Sequence, residues 1–142
     1  MTERVTFLFL LGSALYLLMG LIHVALVLWD ERRGRLFLPQ DERLRKAMKD
    51  TTLTLSRQLS IMTTYRGLNL SHGLGVSVFG VLTMYLVLND FGGLAPGVLL
   101  GIAAAFACAN LAVALRYWFG FPALGYGAAA GLFVTAGVLY WV

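Results

Sequence analysis

At 142 residues the chain is one domain's worth, at roughly 150 residues per domain. Hydrophobic residues make up 59% and charged residues 13%, against about 25% charged in average soluble domains. The charges gather at Glu3 and Arg4, between Asp30 and Arg66, and at Asp90 and Arg116. This pattern excludes an ordinary water-soluble fold and a disordered chain. The single cysteine, Cys108, excludes a disulfide-stapled domain, and a net charge of +4 held mostly in one segment excludes a nucleic-acid binder.

A membrane-spanning helix needs about 20 mostly apolar residues, because the hydrocarbon layer is about 30 Å thick and a helix rises 1.5 Å per residue. Four segments qualify, Val5–Trp29, Gly67–Leu88, Leu94–Leu115 and Gly120–Val142, and none holds an Asp, Glu, Lys or Arg. Lipid offers no hydrogen bonds to the backbone, so each is predicted to be helical. No period-2 alternation of polar and apolar residues supports a membrane barrel. The first segment is longer than a signal-peptide core of about 7–15 residues. No small-x-small cleavage site precedes the polar stretch, and Asp30-Glu31-Arg32-Arg33 resembles a stop-transfer flank, so this segment is expected to stay as a span.

Nine of the eleven Lys and Arg residues lie in the 30–66 loop. Arg116, between spans three and four, falls on the same side, and Arg4 stands alone on the other. Because positive charge collects on the cytoplasmic side, the loop is expected in the cytoplasm and both termini outside. The expected fold is all-α: one transmembrane domain over residues 1–142, an antiparallel up-down four-helix bundle with a cytoplasmic amphipathic helix between spans one and two. Asn89-Asp90-Phe91-Gly92-Gly93 forms a short outer turn. Tyr117, Trp118 and Phe119 form an interfacial aromatic anchor beside Arg116, and Trp29, Tyr140 and Trp141 mark other interfacial levels.

Within the loop, Pro39-Gln40-Asp41 is a helix start with Asp41 as cap. Leu44, Met48, Leu55, Leu59 and Met62 recur at spacings of one helical face, with Arg43, Arg45, Lys46 and Lys49 on the others. The pattern predicts an amphipathic helix over Asp41–Met62, lying on the inner leaflet with its basic residues near anionic head groups. The plainer alternative is a solvated helix running straight into span two. Gly67 is expected to bend the start of that span.

Membrane helices associate where small residues let backbones approach. Gly97, Gly101, Ala105 and Ala109 in span three, and Ala123, Gly127, Gly131 and Thr135 in span four, predict a tight antiparallel hairpin. The same rows would also suit a homodimer or another membrane protein. Gly73, Ser77 and Gly80 or Val81 share one flank of span two, and Gly12 and Gly20 flank Tyr16 in span one. Cys108 is expected to be packing.

Depth singles out four side chains. His23, His72, Asn110 and Tyr126 each stand five or six residues from the cytoplasmic end of their span, about 8–9 Å inside the boundary at 1.5 Å per residue. Asn69 is three residues before His72 on the same helical face, Asp30 is seven after His23, and Arg66 and Arg116 stand at the rim. Polar groups inside a membrane are costly and tend to face the bundle interior, so His23, Asn69, His72, Asn110 and Tyr126 are expected to converge. Three roles fit them. One is a hydrogen-bonded plug that fixes helix register. Another is a pocket for a lipid-soluble ligand such as a quinone or a lipid head group. The last is haem or metal ligation by His23 and His72, with Gly73 and Gly75 leaving room for a flat macrocycle. A proton relay through a histidine is a minor further role, and Asp90, in the outer turn, cannot complete one across the membrane. No hydrolase, zinc-protease or phosphate-loop motif occurs, and no span holds a carboxylate, which leans away from an enzyme.

Gly20-Leu21-Ile22-His23 and Gly67-Leu68-Asn69-Leu70-Ser71-His72-Gly73-Leu74-Gly75 resemble a group of small bacterial integral membrane proteins. In size and four-span layout the chain also resembles the broad DoxX-like class. The resemblance covers spans one and two, and the rest by hydropathy. It implies a four-helix protein of the bacterial inner membrane and supplies no catalytic residues. DoxX-like proteins are associated with oxidoreductase partners, so by analogy it favours the quinone and redox readings. Together these readings describe a non-catalytic binding or accessory subunit contacting membrane lipid. The competing class is a cytochrome-like oxidoreductase subunit.

Overall fold

The computed structural model describes residues 2–33, 36–89 and 94–142. Its helices are α1 (Glu3–Arg33), α2 (Glu42–Asp50), α3 (Ile61–Leu88), α4 (Pro96–Tyr117) and α5 (Gly120–Trp141); a short hairpin of β1 (Thr52–Leu53) and β2 (Ser56–Ser60) precedes α3. Four of the helices are long and apolar enough to cross a membrane: α1 to Asp30, and the whole of α3, α4 and α5. Only about a third of each such stretch is buried within the chain. Apolar side chains such as Phe7 (65% exposed), Leu115 (69%) and Leu124 (75%) face outward. A soluble bundle would hide such residues; lipid accepts them.

Two compact units make up the chain, residues 1–19 with 76–142, and residues 20–75. The larger is a helix bundle with an aromatic and alanine core. Phe133 and Tyr16 are fully buried at its centre. Tyr16 meets the rings of Phe79 (4.9 Å between centroids), Tyr126 (5.5 Å) and Phe133 (6.0 Å), and Phe133 meets Phe9 at 5.0 Å. These tilted arrangements are the ones aromatic quadrupoles favour. Around them α4 buries Leu99, Leu100, Ala103, Ala107 and Ala114, and α5 buries Ala129, Ala130 and Ala136. The closest backbone approach is at Gly80. A Cβ there would lie 2.5 Å from the Leu17 nitrogen and 2.7 Å from the Ser13 carbonyl oxygen. Two buried hydroxyls bond along their own helices: Ser13 donates to Phe9 O (2.9 Å) and Thr83 to Phe79 O (2.8 Å).

The smaller unit holds the end of α1, α2, the hairpin and the start of α3. Asp41 caps α2 as expected, accepting from Arg43 N (2.8 Å) and Leu44 N (3.4 Å). The long amphipathic helix over 41–62 does not form. α2 stops at Asp50, and an antiparallel hairpin follows, pairing Thr52 with Ser60 and Leu53 with Ser56. Two local preferences outweigh the helical spacing. Thr51, Thr52 and Thr54 are β-branched and lose side-chain freedom in a helix. Ser60 acts as a cap, its Oγ accepting from Thr63 N at 3.2 Å. That cap starts α3 six residues before the expected Gly67, and the helix continues through Gly67.

Other expectations are also corrected. Of the expected row in α4, Gly97 does meet α5, a Cβ there lying 2.7 Å from the Trp141 ring, but Gly101, Ala105 and Ala109 are exposed, as are Gly131 and Thr135 of α5. The buried faces of these helices use Ala103 and Ala107, and Ala129 and Ala136, instead. A four-residue small-residue row exists on more than one side of helices this rich in alanine and glycine, so spacing alone does not choose the face. Cys108 is exposed rather than packed. Gly73, Ser77, Gly80, Gly12 and Gly20 are buried, as their grouping on α3 and α1 predicts, and Val81, the alternative to Gly80, is exposed. Residues 90–93 of the outer turn and Arg35 of the basic flank lie outside the described residues, as do the side chains of Glu31, Arg32 and Arg33.

Candidate functional site

The five residues expected at one depth belong to two groups. His23, Asn69 and His72 lie in the 20–75 unit, and Asn110 and Tyr126 in the bundle unit.

In the 20–75 unit, α1 and α3 approach at Gly73. A Cβ on that residue would stand 2.8 Å from Val24 Cγ2, 2.9 Å from His23 Cδ2 and 3.3 Å from the Gly20 carbonyl oxygen. Gly20 and Gly73 thus let the two helices close enough for their histidines to touch. The His23 and His72 rings are 5.4 Å apart between centroids and nearly perpendicular, at 83°. Both side chains are half-buried, and the Asn69 backbone also faces the His23 ring.

Residues one and two turns along each helix build a mouth beside this pair. Asp30, only 3% exposed, ends the His23 face of α1. Its carboxylate accepts two backbone N–H groups from the segment that follows, Leu36 N at 2.7 Å and Phe37 N at 3.0 Å. On α3, Tyr65 lies seven residues before His72. Its hydroxyl donates to the Phe37 carbonyl oxygen at 3.0 Å, and its own carbonyl accepts the Asn69 amide at 2.8 Å. Phe37, fastened from both sides, sets its ring against His23, 5.4 Å between centroids. Asp30, Phe37, Tyr65, Arg66 and Asn69 line a hollow there with room for about one water molecule. Asp30 and Arg66, expected at the rim, are both at this mouth.

Asn110 and Tyr126 have a different setting. Tyr126 is 3% exposed within the aromatic core beside Tyr16. Asn110 donates to Phe106 O, one turn back on its own helix, at 2.9 Å. The Tyr16 hydroxyl is buried without a hydrogen bond among the described residues, with Asn110 and Tyr126 among its polar neighbours. Arg116, the third expected rim residue, is exposed and lies over the Tyr117 ring at 5.2 Å.

Sequence reasoning missed Phe37, Tyr65 and Tyr16. Tyr65 carried a usable signal, since it shares the heptad-spaced face of Asn69 and His72. Phe37 carried none, because a turn folding back onto a helix end leaves no periodic trace.

The histidine pair does not fit a haem held between two imidazoles. With metal–nitrogen bonds of about 2 Å, ligands on opposite faces of one iron keep their ring centres about 6 Å apart with the macrocycle between them. Here the rings are in direct contact. The space beside Gly73, expected to admit a macrocycle, is filled by α1. Among the described residues no third His, Cys, Asp or Glu joins the pair to form a metal-binding group.

No protein-family model, no curated protein and no solved structure matches the chain.

Proposed function

We propose that the protein is a small multi-pass membrane protein, a non-catalytic binding or accessory subunit whose site is the His23–His72 pair and its mouth. The contact between two half-buried imidazoles carries this reading. Two histidines from different helices offer donors and an acceptor in apolar surroundings, the usual chemistry of a pocket for a lipid-soluble carbonyl or hydroxyl compound such as a quinone, or for a lipid head group. The positive-charge count orients the four helices alternately, with residues 30–66 in the cytoplasm and both termini outside. The DoxX-like resemblance supports a place in a bacterial plasma membrane beside an oxidoreductase partner. The outward row Gly101, Ala105 and Ala109 suits close approach by a helix of such a partner or of a second copy.

The test is mass spectrometry of what stays bound after gentle detergent extraction. A co-purifying quinone or lipid whose occupancy falls in His72→Ala supports the site. Unchanged occupancy overturns it.

One observation favours a structural role for part of the polar layer. The Asn69 and Asn110 amides each donate to a carbonyl of their own helix. If His23→Ala and His72→Ala lower thermal stability while no bound molecule changes, the histidines join them as a plug fixing helix register.

A further inference from the structure

We propose that residues 36–38 form a strap that closes the approach to the histidine pair, with Asp30 and Tyr65 as its two latches. The inference rests on the reading of His23 and His72 as a ligand site and adds its regulation.

Three features set this segment apart from an ordinary connection. First, its anchors are aimed at backbone groups. The Asp30 carboxylate takes two consecutive N–H groups, of Leu36 and Phe37, and the Tyr65 hydroxyl takes the Phe37 carbonyl oxygen. Second, the anchors come from separate helices, α1 and α3, on the faces that carry His23 and His72. Closure therefore spans the mouth. Third, the side chain so placed is an aromatic ring packed edge-on against His23, at 65° between planes, so it occupies the side of the imidazole that faces the strap. The hollow left beneath holds about one water, so a ligand reaches the histidines from this side only when Phe37 leaves. These hydrogen bonds and the ring contact make a closure that can open, because each bond the protein gives up is largely replaced by one to water.

Histidine acylation by diethyl pyrocarbonate, followed by mass spectrometry on the full chain in lipid nanodiscs, reads the closure directly. The chain has two histidines, so both sites are resolved. Phe37→Ala is expected to speed acylation of His23 about tenfold, the upper range for losing one aromatic contact. Tyr65→Phe removes a single hydroxyl and keeps the fold, and is expected to give about threefold, the population shift from losing one hydrogen bond. Leu36→Ala, an exposed side chain of the same segment, is expected to leave the rate unchanged. Equal rates in the parent, Phe37→Ala and Tyr65→Phe overturn the strap. Decyl-ubiquinone, added as probe, separates the two readings. If acylation accelerates in the variants but the quinone does not slow it in Phe37→Ala, the strap stands and a quinone site fails.

Discussion

Gly80→Ala is the sharpest test of how the helices pack. The added methyl carbon would lie 2.5 Å from Leu17 N, 2.7 Å from Ser13 O and 2.9 Å from Leu17 Cα. Ordinary carbon contacts begin at about 3.5 Å, so the overlap is close to 1 Å. It falls on backbone, which no rotamer change relieves. α1 must move as a unit, and the contacts of Ser13 and Tyr16 move with it. Forcing an extra methylene into packed surroundings costs about 1–3 kcal/mol. The better helix propensity of alanine returns up to about 1 kcal/mol. The backbone clash belongs at the upper end of the first range, giving a net loss of about 2 kcal/mol. Gly75→Ala on the same helix is the control, because a Cβ there meets nothing within 4 Å. Thermal or denaturant unfolding of the detergent-solubilised variants measures the difference. If Gly80→Ala is as stable as Gly75→Ala, helices α1 and α3 are not held by backbone contact there and the packing argument fails.

Three further outcomes follow from the same structure. Phe133→Ala empties the centre of the aromatic core, and loss of a fully buried phenylalanine costs about 3–5 kcal/mol; Val138→Ala, at an exposed position, should cost little, and equal melting points would contradict the assigned core. Alkaline phosphatase fused to the C-terminus should be active and a fluorescent protein fused there dark, because positive charge collects inside; the reverse result would invert the topology. In a Cys108→Ala background, a spin label on Leu55→Cys tests whether the hairpin tip, 99% exposed and bordered by Arg57, touches lipid. Oxygen accessibility above that of a water-soluble nickel reagent is expected in anionic nanodiscs, and a water-like ratio would place the hairpin away from the leaflet.

The four long helices were legible in the sequence because their signal is redundant: some twenty apolar residues in a row admit one solution in lipid. That His23 and His72 stand at one depth was legible for a related reason, since polar residues are informative where everything else is apolar; the role of Gly73, which seats α1 rather than a flat ligand, was not. The faces of α4 and α5 were not. Both helices are so uniformly apolar and small that rows like Gly101-Ala105-Ala109 occur on more than one side, and only the aromatic core the helices pack against decides between them. The hairpin failed for the opposite reason. Leu44, Met48, Leu55, Leu59 and Met62 fit a helical period, but Thr51, Thr52 and Ser60 carry local preferences that break it, and in a short segment with little burial inside the chain those preferences are not overridden by packing.

The distribution of polar groups argues where function resides. In the bundle unit, Ser13, Thr83 and Asn110 each bond a carbonyl of their own helix. Such bonds silence a polar group without reaching across to another element, and they ask nothing of a ligand. In the 20–75 unit Asn69 does the same, but Asp30 and Tyr65 reach between elements to hold the Phe37 backbone, and His23 meets His72. A bundle needing only register could close the α1–α3 mouth with leucine at no desolvation cost. Keeping a nearly buried carboxylate there makes sense where the closure has to open, because hydrogen bonds lost from Asp30 and Phe37 can be remade with water at the membrane surface. An apolar plug would have no such exchange.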